Sequence, residues 1–174
     1  MRRFHDWAVM EDRSSAAAAI TIRPVRRSDG AGLAKFYDAL APESRCRRFL
    51  TACVPPAGLI AALAGDPGVV AVLHERGARD GNIVGHASVQ PDGRHGAEVA
   101  FAVADDFRGH GLGRQLVSRS LKLARELGAD RASATMMLGN VPMRHLLRTA
   151  GQPVQGDRLE AGIEEIELDL RVPA

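Results

Sequence analysis

The segment Ala97-Glu98-Val99-Ala100-Phe101-Ala102-Val103-Ala104-Asp105-Asp106-Phe107-Arg108-Gly109-His110-Gly111-Leu112-Gly113-Arg114 constrains the fold more than any other, because strand, glycine turn and helix start follow one another directly. A helix start leaves its first backbone N–H groups unpaired and carries partial positive charge. Glycines at 109, 111 and 113 let the preceding chain curl so that those donors converge on one anion. The spacing sets two common anion-binding loops aside. Arg114 stands where a dinucleotide fingerprint wants its third glycine, and no Gly-Lys-Ser/Thr closes the turn, as a magnesium-nucleotide loop would require.

The flanking sequence supplies the elements that a mixed sheet needs. Ile20 to Arg23 alternates as a strand closed by Pro24. Ser28 or Asp29 can cap a helix with Leu33, Phe36, Tyr37 and Leu40 inward, stopped by Pro42. Glu43 to Leu50 and Pro56 to Leu63 read as short helices, and Gly65-Asp66-Pro67-Gly68 as a turn. Val69 to Leu73, Ile83 to Val89 and Ala97 to Ala104 read as a meander of strands. Leu112, Leu116, Val117, Ser120, Leu121, Ala124 and Leu127 trace one helix face ending at Gly128. Ala132 to Met137 is a further strand, and Asn140 to Gly151 a helix with Met143, Leu146 and Leu147 inward. A last strand alternates Ile166, Leu168, Leu170 and Val172 with acidic residues and Arg171. Residues 1–19 read as a tail and 20–174 as one domain.

Composition narrows the partners. Charged residues are 25% and the formal net charge is only +2, with scattered arginines and 4% aromatics; this disfavours nucleic acid. No apolar run spans a bilayer, and charged residues interrupt any signal-like stretch after Arg2-Arg3. Cys46 and Cys53, placed on one helix, would stand about 10.5 Å apart, beyond the ~7 Å reach of a disulfide. Reduced thiols fit a cytoplasmic protein. Neither cysteine has a second ligand at zinc spacing, and the histidines are dispersed, so no metal is expected.

Arg-Gly-X-Gly-X-Gly after a strand and opening a helix resembles the pyrophosphate-binding motif of the GNAT superfamily of acetyl-CoA-dependent N-acyltransferases. The strand exit from Val103 to Phe107, the Asn140-to-Gly151 helix and the order of elements from Ile20 onward resemble the family as well. Glu43-Ser44-Arg45-Cys46-Arg47-Arg48-Phe49-Leu50, after Pro42, resembles the Pro-Glu-Ser-Arg segment of some bacterial protein lysine acetyltransferases, which implies an acceptor-binding surface, although a capped helix with a solvated basic face is the simpler reading. The resemblance implies an α/β (α+β) fold with a mixed, mostly antiparallel twisted sheet flanked by helices. It implies acetyl-CoA as cosubstrate and a small-molecule amine or protein lysine as acceptor, and it is compatible with a homodimer.

On this resemblance Arg108, Gly109, His110, Gly111, Leu112, Gly113 and Arg114 hold the pyrophosphate. Val103 offers main-chain bonds to the pantetheine arm or acyl carbonyl, and Asn140 touches the arm while also suiting a helix N-cap. An amine with a reference pKa of about 10.4 needs a base before it attacks a thioester. Glu98 is the only carboxylate in its strand and takes that role, directly or through water. The family often places a tyrosine acid where this chain has Leu147, and an aromatic where it has Gln152; Tyr37, the chain's single tyrosine, reads as a core or acceptor-pocket residue. Both substitutions keep open a second reading, a non-catalytic acyl-CoA-binding sensor or partner module.

Overall fold

The computed structural model describes residues 9–10, 18–50, 57–75 and 81–172. Its strands are β1 (Val9–Met10), β2 (Ala18–Pro24), β3 (Gly68–Glu75), β4 (Asn82–Pro91), β5 (Gly96–Val103), β6 (Arg131–Met137), β7 (Val154–Glu160) and β8 (Ile163–Asp169). They form one sheet in the order β1-β2-β3-β4-β5-β6-β8-β7, antiparallel at every junction except the parallel β5–β6 pair. This is the mixed, mostly antiparallel sheet expected from the sequence. The helices are α1 (Gly30–Ala39), α2 (Pro42–Phe49), α3 (Ala57–Leu63), α4 (Leu112–Glu126) and α5 (Val141–Arg148).

Each face of the sheet buries its own helical layer. Leu33, Phe36 and Tyr37 of α1 pack with Ile60 and Leu63 of α3 on one face, against Val70 and Val72 of β3. On the other face α4 lays Val117, Leu121 and Ala124 over Val89, Val99 and Ala132, while Met143 and Leu147 of α5 join Ile166 and Leu168 of β8. The apolar positions of α4 recur at three and four residues, so a single stripe meets the sheet. Gly128, at φ 88°, then closes the helix by returning its N–H to Arg125 O.

Several boundaries differ from the sequence reading, each for a local reason. Leu127 follows the last helical residue and is 44% exposed instead of joining the α4 face. Asp29 does not cap α1 with its side chain; its carboxylate accepts both Nη groups of Arg23 at 2.7 Å and the Arg26 amide at 2.8 Å. The last strand begins at Ile163 and ends at Asp169, short of Leu170 and Val172. Within the expected tail, Val9–Met10 pairs with Ile20 and Thr21, and β2 starts at Ala18; the rest of residues 1–17, together with Cys53 and the Pro56 start of α3, lies outside the described residues.

Candidate active site

β5 and β6 pair only from Gly96↔Arg131 to Glu98↔Ser133, whereas β5 stays on β4 as far as Val103↔Gly85. Beyond Glu98 the two parallel strands therefore part, and a cleft of about 590 Å³ opens into the gap. Phe101, Ala102 and Val103 line its strand side, Asn140, Met143 and Leu146 its α5 side, and Ser44, Arg47 and Arg48 of α2 its third wall. The Ala104 amide donates to Val84 O at 2.9 Å on the β4 side. Strand alternation then turns the main-chain N–H and C=O of Val103 away from β4, toward the space that β6 has left.

The glycine turn closes one end of the cleft. Gly109 and Gly111 have φ of 77° and 80°, a region that glycine occupies freely, and a Cβ on either would meet nothing within 4 Å. Gly111 is the N-cap of α4 and no side chain caps the helix, so its first amides stay open to an anion. Gly113 lacks a Cβ for a different reason: one there would stand 3.0 Å from Leu146 Cδ1, so glycine lets α5 approach the turn closely. Arg108, Gly109, Gly111, Gly113 and Arg114 all line the cleft. His110 is exposed outside the lining and the Leu112 side chain is buried beneath α4, which leaves these two residues only their main-chain groups to offer.

Asp105 ties the turn to α2. It accepts the Ala41 amide at 3.0 Å and the Ser44 hydroxyl at 2.9 Å and pairs with Arg108 at 2.7 Å; Arg108 also donates to Ser44 Oγ at 2.8 Å. Burial opposes ionisation of Asp105, but the Ala41 amide, the Ser44 hydroxyl and the Arg108 charge outweigh it and hold the carboxyl below its usual value.

Asn140 is buried, lines the cleft, and caps α5 by accepting the Met143 amide at 3.4 Å, so the cap and cleft placements coincide. The Val141–Arg148 helix is pinned to β8 by Arg144, whose Nε lies 2.8 and 3.0 Å from the Glu164 carboxylate. That ion pair, led by the Arg144 hydrogen bonds, holds the Glu164 carboxyl below its ordinary value.

Leu147 is fully buried in the α4–α5–β8 core and is absent from the cleft wall. Gln152 is buried too and accepts from Arg125, which further donates to Leu170 O at 2.8 Å; it fastens the end of α4 to the C-terminal strands. Glu98 is exposed and outside the lining, yet it shares the sheet face of Ala100 and Ala102, at the point where β5 leaves β6. Tyr37 lies in the core and bonds His86 Nδ1 at 2.7 Å. Burial, reinforced by the charge of Arg48, pushes His86 down to about 3, so this pair is neutral near pH 7. Cys46 is a free thiol, and no metal-ligating cluster forms among the described residues.

The sequence reading did not identify His145 as a cleft residue, and it held Ser44 and Arg48 only within the Glu43-to-Leu50 stretch, whose functional reading is an acceptor-binding surface. Only the packing of α2 on β5 shows that Ser44, Arg47 and Arg48 of that stretch reach the cleft.

A parallel pair that splays around an uncapped, glycine-opened helix start, with a cleft running along the freed strand, is an arrangement suited to an extended phosphorylated ligand. The sequence model of the acetyltransferase (GNAT) family matches residues 33–151, and the chain belongs to that family, which uses acetyl-CoA as cosubstrate. Acetyltransferase Pat of Mycolicibacterium smegmatis is 32% identical over 74 residues, 42% of this chain but only 22% of that protein's length, so the chain matches about a fifth of this relative. The GNAT domain of Streptomyces lividans PAT superposes with a TM-score of 0.75 at 22% identity, covering 94% of this chain and 96% of that one. The structure of yncA from Salmonella typhimurium with its cofactor acetyl-CoA gives 0.68 at 24% identity, covering 89% and 96%. At these identities the superpositions establish the fold.

Proposed function

We propose that the chain transfers an acetyl group from acetyl-CoA to a primary amine, by direct attack while both substrates are bound. The observation that carries this reading is the cleft itself, in which an open glycine turn and the freed edge of β5 share one wall-to-wall space. Acetyl-CoA supplies a thioester whose acyl carbon an amine can attack.

The chain's residues meet the remaining needs in order along the cleft. Amides of the turn and the α4 start receive the pyrophosphate, aided by Arg108 and Arg114. The free main-chain groups of Val103 orient the pantetheine arm or the acyl oxygen, where a correctly aimed amide is worth about 3 kcal/mol in comparable sites. Asn140 presents the amide of its side chain from the α5 wall. Glu98 withdraws the proton from the incoming amine through a water, since its side chain faces the α2 side of β5 outside the lining. Leu147 has no proton to give. His145 brings an imidazole ring to the described lining, and it serves the departing thiolate. The acceptor is a small-molecule amine or a protein lysine, and a reducing cytoplasm suits the free Cys46 thiol.

A second reading, acyl-CoA binding without catalysis, draws on one observation: no carboxylate is among the described residues lining the cleft. Thiol release with purified Glu98→Gln separates the two. Catalysis through Glu98 predicts a fall in kcat of about a hundredfold or more with acetyl-CoA affinity unchanged; equal turnover by variant and wild type would remove Glu98 from the mechanism. Absence of release by the wild type across amine acceptors would favour the binding module.

A further inference from the structure

The three arginines of α2 spend their charges differently. Arg45 donates to Asp38 O at 2.9 Å, and Arg47, which also lines the cleft, is paired with Glu43 at 2.6 Å. Arg48 turns inward. Its Nη2 donates to Ser88 Oγ at 2.9 Å, its guanidinium lies 4.9 Å from the Phe49 ring centre, and its Nε is buried with no hydrogen-bond partner. No carboxylate pairs with Arg48 among the described residues, although it lines the cleft with Ala102 and Val103.

The groups around Arg48 offer no counter-charge. Tyr37, which hydrogen-bonds Arg48, and His86 form a neutral buried pair, and Glu98, two residues before Ala100 on the same sheet face, makes no ion pair with Arg48. A half-buried guanidinium without a counter-charge costs desolvation that an anion in the cleft offsets. The diphosphate end of the cleft is elsewhere: Ser44, which meets Arg108 of the turn, lies one helical turn before Arg48, about 6 Å along α2. Ser88 sits opposite Ala100, so the Arg48 head stands over β5 roughly 10 Å before Val103, on the side from which an amine would approach.

We propose that the acceptor carries a carboxylate close to its reactive amine and that Arg48, held by Ser88 and Phe49, binds that carboxylate. The proposal rests on the acyl-transfer reading and adds the chemical class of its second substrate: an amine bearing an acid, either as a free amino acid or as a lysine beside acidic residues in a protein. Arg48 is a specificity residue, and its guanidinium leaves the transfer chemistry itself to other groups. The planar fork of a guanidinium suits a carboxylate better than the point charge of lysine would.

The test measures kcat/KM by thiol release for linear ω-amino acids from glycine upward and for their primary amides. N-acetylated peptides with a lysine between two glutamates or two glutamines form a second arm. Wild type is expected to prefer the acid over the matched amide by about tenfold or more in one of the arms, and the arm that shows it tells small molecule from protein. The amide's amine is the less basic of each pair, so intrinsic reactivity works against this preference. Arg48→Gln is expected to erase the preference while leaving acetyl-CoA affinity, read by calorimetry, intact; Arg48→Lys restores part of it. Equal use of acid and amide by the wild type, or an Arg48→Gln variant that lowers both alike, overturns the proposal with acetyl transfer still standing. Failure of the wild type to bind acetyl-CoA would remove the acyl-transfer reading and the proposal with it.

Discussion

Leu147 fills the position at which the family often carries a tyrosine, and its complete burial against Ile166, Leu168 and Leu121 makes it a packing residue. Leu147→Ala is expected to cost about 2–5 kcal/mol of stability in urea unfolding, whereas Leu147→Tyr costs about 1–3 by overpacking and adds no turnover; a gain in kcat for the tyrosine variant would show that a donor is missing there. Gly111 is open to solvent but has a left-handed backbone, so Gly111→Asp combines strain with negative charge where the diphosphate belongs. A loss of about tenfold or more in acetyl-CoA affinity is expected by calorimetry, and unchanged affinity would remove the turn from the site. At this scale the turn and Asn140 were legible because their chemistry is local: a glycine pattern before a helix, and an N-cap before Met143. Arg48 and His145 were not, because membership of the cleft wall depends on helices folding over a strand that is distant from Arg48 and His145 in sequence.

Helix α5 is seated by Met143 and Leu147 in the core and by the ion pairs Arg144–Glu164 and Arg148–Asp157 to β8 and β7. Glu164 follows the alternation that buries Ile166 and Leu168, and it is tolerated on that face only because Arg144 reaches it. Glu164→Gln should lower the melting temperature and also weaken acetyl-CoA binding, since Asn140, His145 and Leu146 ride on the same helix; loss of stability with unchanged binding would separate α5 from the site. The pairing of β4 with α1 carries a pH signature. His86 titrates at about 3 in the folded chain against an ordinary value near 6.5, so its contribution is present above 6.5 and is lost as pH falls toward 3. Between pH 7 and 5 this removes about 2 kcal/mol of unfolding free energy, before the carboxylates of Glu164 or Asp105 begin to titrate in the unfolded chain. His86→Gln, which can still accept from Tyr37, is expected to flatten that limb; an equal loss in variant and wild type would contradict the burial of a neutral imidazole. Among the elements, β7 was missed because its residues are almost all exposed and polar, with no alternation to read. It exists through pairing with β8 across a turn in which Ala161 and Gly162 both adopt positive φ, at 49° and 80°.

At the scale of the whole molecule the architecture follows from two apolar faces and one interruption. The sheet is covered by α1 and α3 on one side and by α4 and α5 on the other, and the single parallel junction is the place where its strands separate. The order of strands from β2 to β6 was readable because each apolar run is bounded by glycine, proline or aspartate, whereas β1 fell in the expected tail. The separation of β5 from β6 was not, since nothing in either strand's own sequence announces where its partner leaves. Function depends on that separation, because it frees the β5 edge beside the turn. The most direct test of this account is calorimetric titration of the purified chain with acetyl-CoA, with NADH and ATP as controls. A single site of micromolar affinity for acetyl-CoA, with much weaker response to either nucleotide, is the predicted result; no binding of acetyl-CoA, or equal binding of all three, would contradict the assignment of the cleft.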